Sequence, residues 1–462
     1  MIRRTIITTI LMLATFSAQA AEPWSVERCM EYAVEHNHGV RLQQYNLADN
    51  HVDQTRAIGA FLPTIYGSTS AQVNFGRAID PQTNTYTDVS TFYNGYALQA
   101  SLTLFDGLQR YNQLRMARAN VAMGRSTLQA ERDAVALRVY KACMDLLYCQ
   151  GAVEHTRRKR EESSELLRQT EVMAEVGQKS EADVAQMRAT LAADDYELTH
   201  MESQATKSML ALKQEMNYPV DSTLLVQQPV LAPTLPTTTE AIPDICATAL
   251  TYNPRILSAQ NSVLAARYAL RSARGAFLPT LSLSGGVSTS FFRNMDRGGH
   301  VPFSQQFKNN AGEYVSLSLS IPIFNGLSTY SSVRSRRIAL DRAQETLNYE
   351  RSELQRIIAE AVTDEQNSAK EVAKMREQVE ADSLAALLTK RKYEEGLASS
   401  IDVRTAAVTL LQSRVRLLQS ELMLGYYGYL VGYYKKPLPQ AVHGTAFPLP
   451  LGGEGSRMFY RY

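Results

Sequence analysis

Cysteine is scarce in this chain of 462 residues. There are four, Cys29, Cys143, Cys149 and Cys246, with no CxxC pair and no metal-ligand spacing to any of the seven histidines. That pattern excludes a zinc ribbon or a thioredoxin-type redox motif. A disulfide is permitted in an exported protein, but four isolated small apolar side chains are the plainer reading. No HExxH is present, and His36-x-His38 reads as a solvated helix end rather than a metal site. Without a nucleophile–base constellation or a phosphate-cradling loop, the chain reads as a non-enzyme that needs no cofactor. Excess charge is missing too. Lys+Arg 48 against Asp+Glu 46 gives no basic surplus of the kind that holds nucleic acid. Beyond the N-terminus no long uncharged apolar run appears, which argues against a membrane-spanning helix.

What is present begins with MIRRTIITTILMLATFSAQA. An Arg3-Arg4 start, an apolar core and a small-residue Ala18-Gln19-Ala20 site make a secretory signal peptide of residues 1–20. An uncleaved anchor is the alternative, but the apolar core falls short of the ~20 residues of a span. Cleavage removes Arg3 and Arg4 and leaves 46 charges of each sign. No cysteine follows the site, so no lipid anchor is expected.

GAFLPT occurs twice, at Gly59–Thr64 and Gly275–Thr280, 216 positions apart. "EYAVEHN" ending at Asn37 and "ATALTYN" ending at Asn253 keep that offset, while Gly107 and Gly326, and then Gly177 and Gly396, stand 219 apart. Order is preserved throughout, so the chain is a tandem duplication. The first repeat is assigned to 21–218, a Pro-rich linker to 219–243, the second repeat to 244–436 and an irregular tail to 437–462.

Glycine and proline are both absent between Leu327 and Glu395, and the first copy is free of proline from Gln82 to Tyr218. Helices of that length approach ~100 Å. Their apolar period is seven: Val121, Leu128, Val135 and Ala142 in one copy match Leu340, Leu347, Leu354 and Ala361 in the other. After Gly177 and Gly396 the period resumes, through Val184 to Leu212 and Val403 to Val431. A sustained heptad drives left-handed coiled-coil packing, and the two glycines mark the turns of two long antiparallel hairpins.

Four segments alternate with period two: 64–75, 96–104, 280–291 and 315–323, each with an apolar face and a Ser/Thr/Gln face. Their length suits tilted strands crossing a bilayer. GAFLPT stands where a helix stops and a strand begins. Pro63 and Pro279 end the helix, and Phe61 and Phe277 suit a membrane–water boundary. A local helix stop in a soluble protein explains the proline but not the alternation beyond it. Four strands leave two open edges, which hydrocarbon does not tolerate, so several copies must pool their strands. Residues 76–91 and 293–312 are the expected extracellular loops, and "GYYGYLVGYY" (Gly425–Tyr434) is read as packing rather than as a ligand cluster.

The duplicated starts, the two GAFLPT corners, the "LFDGL"/"IFNGL" returns and the "GQKSEADV"/"GLASSIDV" turns resemble the TolC family of outer-membrane efflux proteins, over nearly the whole mature chain. The resemblance implies an α+β membrane protein: a homotrimer whose 12-stranded β-barrel, four strands per chain, continues as a 12-helix antiparallel coiled-coil α-barrel. It implies a passive exit duct in outer-membrane lipid, served by a periplasmic adaptor (membrane fusion) protein and an inner-membrane transporter of RND, ABC or MFS type. Small-molecule efflux and type I protein secretion share that architecture; a non-conducting coiled-coil scaffold is the reading from another class. By the same resemblance, Val176, Gly177, Gly396 and Leu397 receive the adaptor. Asp402 lines the periplasmic aperture, with Asp183 as its twin, and Tyr393 belongs to the network holding the closed state. Thr405 replaces a second aperture aspartate and Ala398 a gating arginine. Ser180-x-x-Asp183 and Ser399-x-x-Asp402 also read as capping boxes, so capping alone and an added pore role both stand for these acids.

Overall fold

The computed structural model describes residues 23–79, 85–88, 90–227, 240–295 and 301–436. The expected signal peptide and tail, and 228–239 of the expected linker, lie outside the described residues.

Both copies follow one plan. Helices α1 (Val26–His36) and α2 (His38–Gly59) lead to strand β1 (Thr64–Asn74), a short hairpin of β2 (Arg77–Ile79) and β3 (Tyr86–Asp88), and β4 (Thr91–Phe105). Helices α3 (Gln109–Glu175) and α4 (Glu181–Met216) complete the first copy. The second comprises α5 (Ile242–Tyr252), α6 (Pro254–Gly275), β5 (Thr280–Asn294), α7 (Phe303–Asn309), β6 (Gly312–Ser320), α8 (Ser328–Glu394) and α9 (Ser400–Lys435). The long helices match in length: 67 residues in α3 and α8, 36 in α4 and α9. The duplicated asparagines have a local task. Asn37 Oδ1 accepts from the Gly39 amide at 2.7 Å and Asn253 Oδ1 from the Arg255 amide at 3.0 Å, so each starts the next helix. His36, ending α1, stacks on Tyr32. Among the described residues no helix is long and apolar enough to cross a membrane.

Contacts divide the chain into two units. The first holds the described residues within 45–126 and 257–349. Its antiparallel sheet has the order β1-β4-β5-β6, leaving β1 and β6 as edges. Register aligns like with like. Thr64, Ser101, Ser284 and Ser316 form one cross-strand row, and Thr103, Ser282 and Ser318 another. Leu102, Leu283 and Leu317 form a row on the opposite face, as do Gly67, Leu98 and Val287. In the single chain β1 and β6 are exposed along their whole length.

The strand ends differ from expectation for identifiable reasons. β1 stops at Asn74 rather than at 75, where the chain turns through Gly76 at φ +98°. β4 starts at Thr91 rather than at 96, and β5 runs to Asn294 rather than to 291, because Thr91 pairs with Asn294. Polar residues there hide the alternation while the backbone ladder continues. A bulge beside Leu104 sets Phe105, not Leu104, opposite Leu281. β6 spans 312–320, not 315–323: Pro322 has no N–H to give a ladder, and the strand ends before it. Expected loops 76–91 and 293–312 contain β2–β3 and α7. Gln306 of α7 pins that helix, accepting from the Phe292 amide and donating to its carbonyl.

The corners explain two of the repeated glycines. A Cβ on Gly107 would lie 2.2 Å from the Gly275 carbonyl oxygen, and one on Gly275 would lie 2.4 Å from that of Gly107. The strand–helix return of copy one therefore presses backbone to backbone on the helix–strand corner of copy two. Beside it, Val263 and Leu270 of α6 pack on Leu340 of α8.

The second unit holds the described residues within 1–44, 127–256 and 350–462. Heptad positions Leu128, Val135, Leu212, Leu354, Ala361, Val403 and Val431 are buried in it. Tyr429 of "GYYGYLVGYY" stacks on Tyr140 with ring centres 4.3 Å apart, and the Tyr433 hydroxyl donates to Asp133 at 2.9 Å. The cluster therefore locks α9 to α3. In the linker, Trp24 and Val226 form a bridge, and the Lys213 ammonium donates to the carbonyls of Val220 and Ser222, each at 2.7 Å. Ile242 and Pro243, expected as linker, are the first turn of α5, where the missing proline N–H has no partner to lose.

Candidate gate and docking tip

Both hairpin turns close with one hydrogen-bond pattern. The Gln178 amide reaches Met173 O at 2.8 Å and the Gly177 amide Ala174 O at 3.0 Å; Leu397 reaches Lys392 O at 2.7 Å and Gly396 Tyr393 O at 3.0 Å. This is the Schellman ending, which puts Gly177 and Gly396 in left-handed conformation at φ +78° and +77°. Neither has a neighbour that a Cβ would strike, so a substitution strains the backbone alone. Gly177→Val or Gly396→Val is expected to loosen its turn by about 1–3 kcal/mol, read as faster amide exchange there. Flanking side chains point away from the chain: Val176 is 66% and Leu397 74% exposed. Two turns thus present bare aliphatic groups.

The acids behind the turns are reciprocal caps. Ser180 Oγ accepts from the Asp183 amide at 3.2 Å while Asp183 Oδ2 accepts from the Ser180 amide at 3.1 Å. Ser399 and Asp402 repeat this at 3.2 and 2.9 Å. Bonds from Ser180, hydroxyl first and then backbone amide, hold Asp183 below the usual carboxylate range; for Asp402 the Ser399 amide leads and the hydroxyl follows. A lowered folded-state pKa stabilises above the unfolded value near ~4 and is lost as pH falls through the folded value. Acidification below about pH 4 should therefore loosen both turns. Asp183→Asn with Asp402→Asn should flatten the fall in melting temperature over that range. Asp402 is exposed and Asp183 half-buried, and each caps through Oδ2. Thr405 is exposed as well, its hydroxyl turned back to Ile401 O at 2.8 Å.

Tyr393 is the opposite case, only 1% exposed. It sits in a cluster that takes one residue from each long helix: Leu166 of α3, Met187 of α4, Tyr393 of α8 and Val403 of α9, with Ala398 against them. Thr170 spends its hydroxyl proton on Leu166 O at 2.7 Å, so Tyr393 donates to Thr170 Oγ1 at 3.0 Å. The Lys179 ammonium lies 4.0 Å above the centre of the Tyr393 ring. Lys179 and Thr170 escape a reading of single motifs. Lys179 precedes Ala398 by the 219-residue offset, so the first copy carries a cation where the second has alanine. Beside this contact the hairpins border a partly open cavity of about 320 Å³, lined among others by His155, Lys390, Arg404 and Arg414. The corner residues Pro63, Pro279, Phe61 and Phe277 belong to the other unit, both phenylalanines exposed.

A family model described as outer membrane efflux protein matches residues 40–217 and again 246–424. The chain belongs to the outer membrane efflux protein family. The two matched spans are its two copies, as the TolC-type architecture requires. The outer membrane efflux protein BepC of Brucella suis is 24% identical over 380 residues, covering 82% of this chain and 76% of BepC. The alkaline protease secretion protein AprF of Pseudomonas aeruginosa is 22% identical over 370 residues, covering 77% and 73%. Among solved structures, the outer membrane protein VceC of Vibrio cholerae superposes with a TM-score of 0.74 at 16% identity, covering 91% of this chain and 96% of VceC. This efflux-family chain is therefore an outer-membrane exit duct of a Gram-negative envelope, serving efflux or secretion. Its family and fold are those of channel proteins, not of enzymes.

Proposed function

We propose that three copies of the chain close one twelve-stranded barrel, that their hairpins form a gated conduit, and that the tips receive a periplasmic adaptor linked to an inner-membrane transporter of RND, ABC or MFS type. The observation that carries this is the open four-stranded sheet with a serine row on one face and a leucine row on the other. Strand directions alternate from β1 to β6, so β6 of one copy meets β1 of the next antiparallel, as a closed barrel needs. Serines then line a wet lumen and leucines face lipid, and the scaffold reading leaves that division unused.

The Tyr393–Thr170 bond under Lys179 serves as the latch. The adjoining cavity supports this role, because hairpins separated by open space have little packing to undo. Val176, Gly177, Gly396 and Leu397 make the docking surface, where exposed aliphatic side chains on rigid turns offer apolar area without ordering cost. Asp183 and Asp402, two per chain, supply carboxylates to the aperture beyond their capping role. Small-molecule efflux is the first reading; type I protein secretion is the second, favoured by the likeness to AprF.

Planar-bilayer recording tests the conduit: discrete conductance is expected, and none would leave a scaffold. Asp402→Ala should change cation block or cation selectivity in the same recording, whereas unchanged behaviour would reduce Asp402 to a cap. Crosslinking in the native envelope followed by pull-down should bring the adaptor and transporter with the chain.

A further inference from the structure

Four glycines stand at the junctions between strands and long helices, and the chain uses them unequally. Gly107 and Gly275 touch backbone to backbone, so tightly that no Cβ fits on either. Their repeat partners are Gly326, 219 positions after Gly107, and Gly59, 216 positions before Gly275. Around both, nothing lies within 4 Å of where a Cβ would stand. The same backbone is nevertheless built: Gly326 holds φ +63° against +67° at Gly107, and Leu327 and Leu108 both hold φ +64°. Half of the contact is therefore made inside the chain, and the other half has prepared surfaces but no partner.

The sheet says where the partner comes from. Gly107 and Gly275 are brought together because β4, which precedes Gly107, pairs with β5, which follows Gly275. Gly326 follows β6 and Gly59 precedes β1, and these are the two edges. The free corners are also bare. Ile323 is 94% and Phe324 81% exposed beside Gly326, and Leu62 is 63% exposed beside Gly59. In the completed contact, Leu278, the repeat partner of Leu62, lies against Gly107 with its Cβ 2.8 Å from where a Cβ there would stand.

We propose that Gly326 of one copy seats against Gly59 of a second copy, reproducing between chains the Gly107–Gly275 contact made within one, with Leu62 covering Gly326 as Leu278 covers Gly107. The repeat then serves as an assembly code: the corner is written twice so that every junction around the ring, internal or between chains, closes alike. This rests on the oligomer proposed above and adds the residues that lock it.

Gly59 makes the test sharp. It is the last residue of α2, in ordinary helical conformation, and meets nothing in its own chain. Alanine is a better helix residue than glycine, so a lone chain should tolerate Gly59→Ala, and Gly59→Val should leave its helix content intact. Between chains the same Cβ meets a backbone carbonyl. In detergent, the full-length oligomer should dissociate at least tenfold more readily with Gly59→Ala and should not form with Gly59→Val, as read by light scattering after size exclusion. Helix content by circular dichroism should match the wild type. A second measurement covers a failure to fold: with Cys149→Ser as background, Leu62→Cys and Phe324→Cys joined by a short bismaleimide should give chain-to-chain ladders on a denaturing gel. A wild-type oligomer, an equally stable Gly59→Val oligomer and no ladder would overturn the Gly59–Gly326 contact and leave the oligomer standing. A wild-type chain that never associates would overturn the oligomer itself.

Discussion

Arginine in place of Leu317 will abolish the assembled protein in the outer membrane, while arginine in place of the adjacent Ser316 will not. The two residues are neighbours on β6 but belong to opposite rows: Leu317 opposes Leu283 and thereby Leu102, Ser316 opposes Ser284 and thereby Ser101. A charge on the lipid face near the bilayer midplane costs about 2–4 kcal/mol, incurred once in every copy of the ring. On the serine face the same charge enters water and changes conduction instead. The fraction of chain running as a detergent-resistant oligomer from outer-membrane extracts checks both. Equal loss in the two variants would mean that strand integrity, not the facing of the rows, decides assembly.

Tyr393→Ala will leave the conduit open at rest. The ring is the largest fully buried side chain of the tip cluster, and its removal takes away packing, the bond to Thr170 and the seat of Lys179 together. Truncating a buried aromatic to alanine costs about 3–5 kcal/mol. Tyr393→Phe removes only a hydroxyl bond, about 0.5–1.5 kcal/mol, and Lys179→Ala only the cation–ring attraction, about 0.5–2 kcal/mol. Resting conductance in planar bilayers should therefore rise most for Tyr393→Ala and less for the other two. A Tyr393→Ala channel as quiet as the wild type would remove Tyr393 from the gate.

The features legible in the sequence were those with a period or a punctuating residue. Seven-residue spacing places the helices because one seam must stay buried over many turns, and Pro63 and Pro279 mark the corners because proline forbids what precedes it. Alternation of serine and leucine shows the sheet faces, since parity survives any register. Where pairing rather than pattern decides, the sequence is silent. β4 begins at Thr91 because Asn294 is there to pair with it, and neither residue carries an apolar signal. The α7 helix depends on Gln306 bonding both backbone groups of Phe292. At the tip, Asp183 and Asp402 were readable from their serines, but Lys179 and Thr170 were not. Their partner Tyr393 comes from the other copy, and no local motif joins residues 170, 179 and 393.

Native mass spectrometry of the protein released from detergent micelles bears most directly on the central claim that this sheet is completed only by other copies of itself. Three chains in one particle are the expected result. A single chain, stable in water without detergent and with its edge strands unpaired, would contradict it.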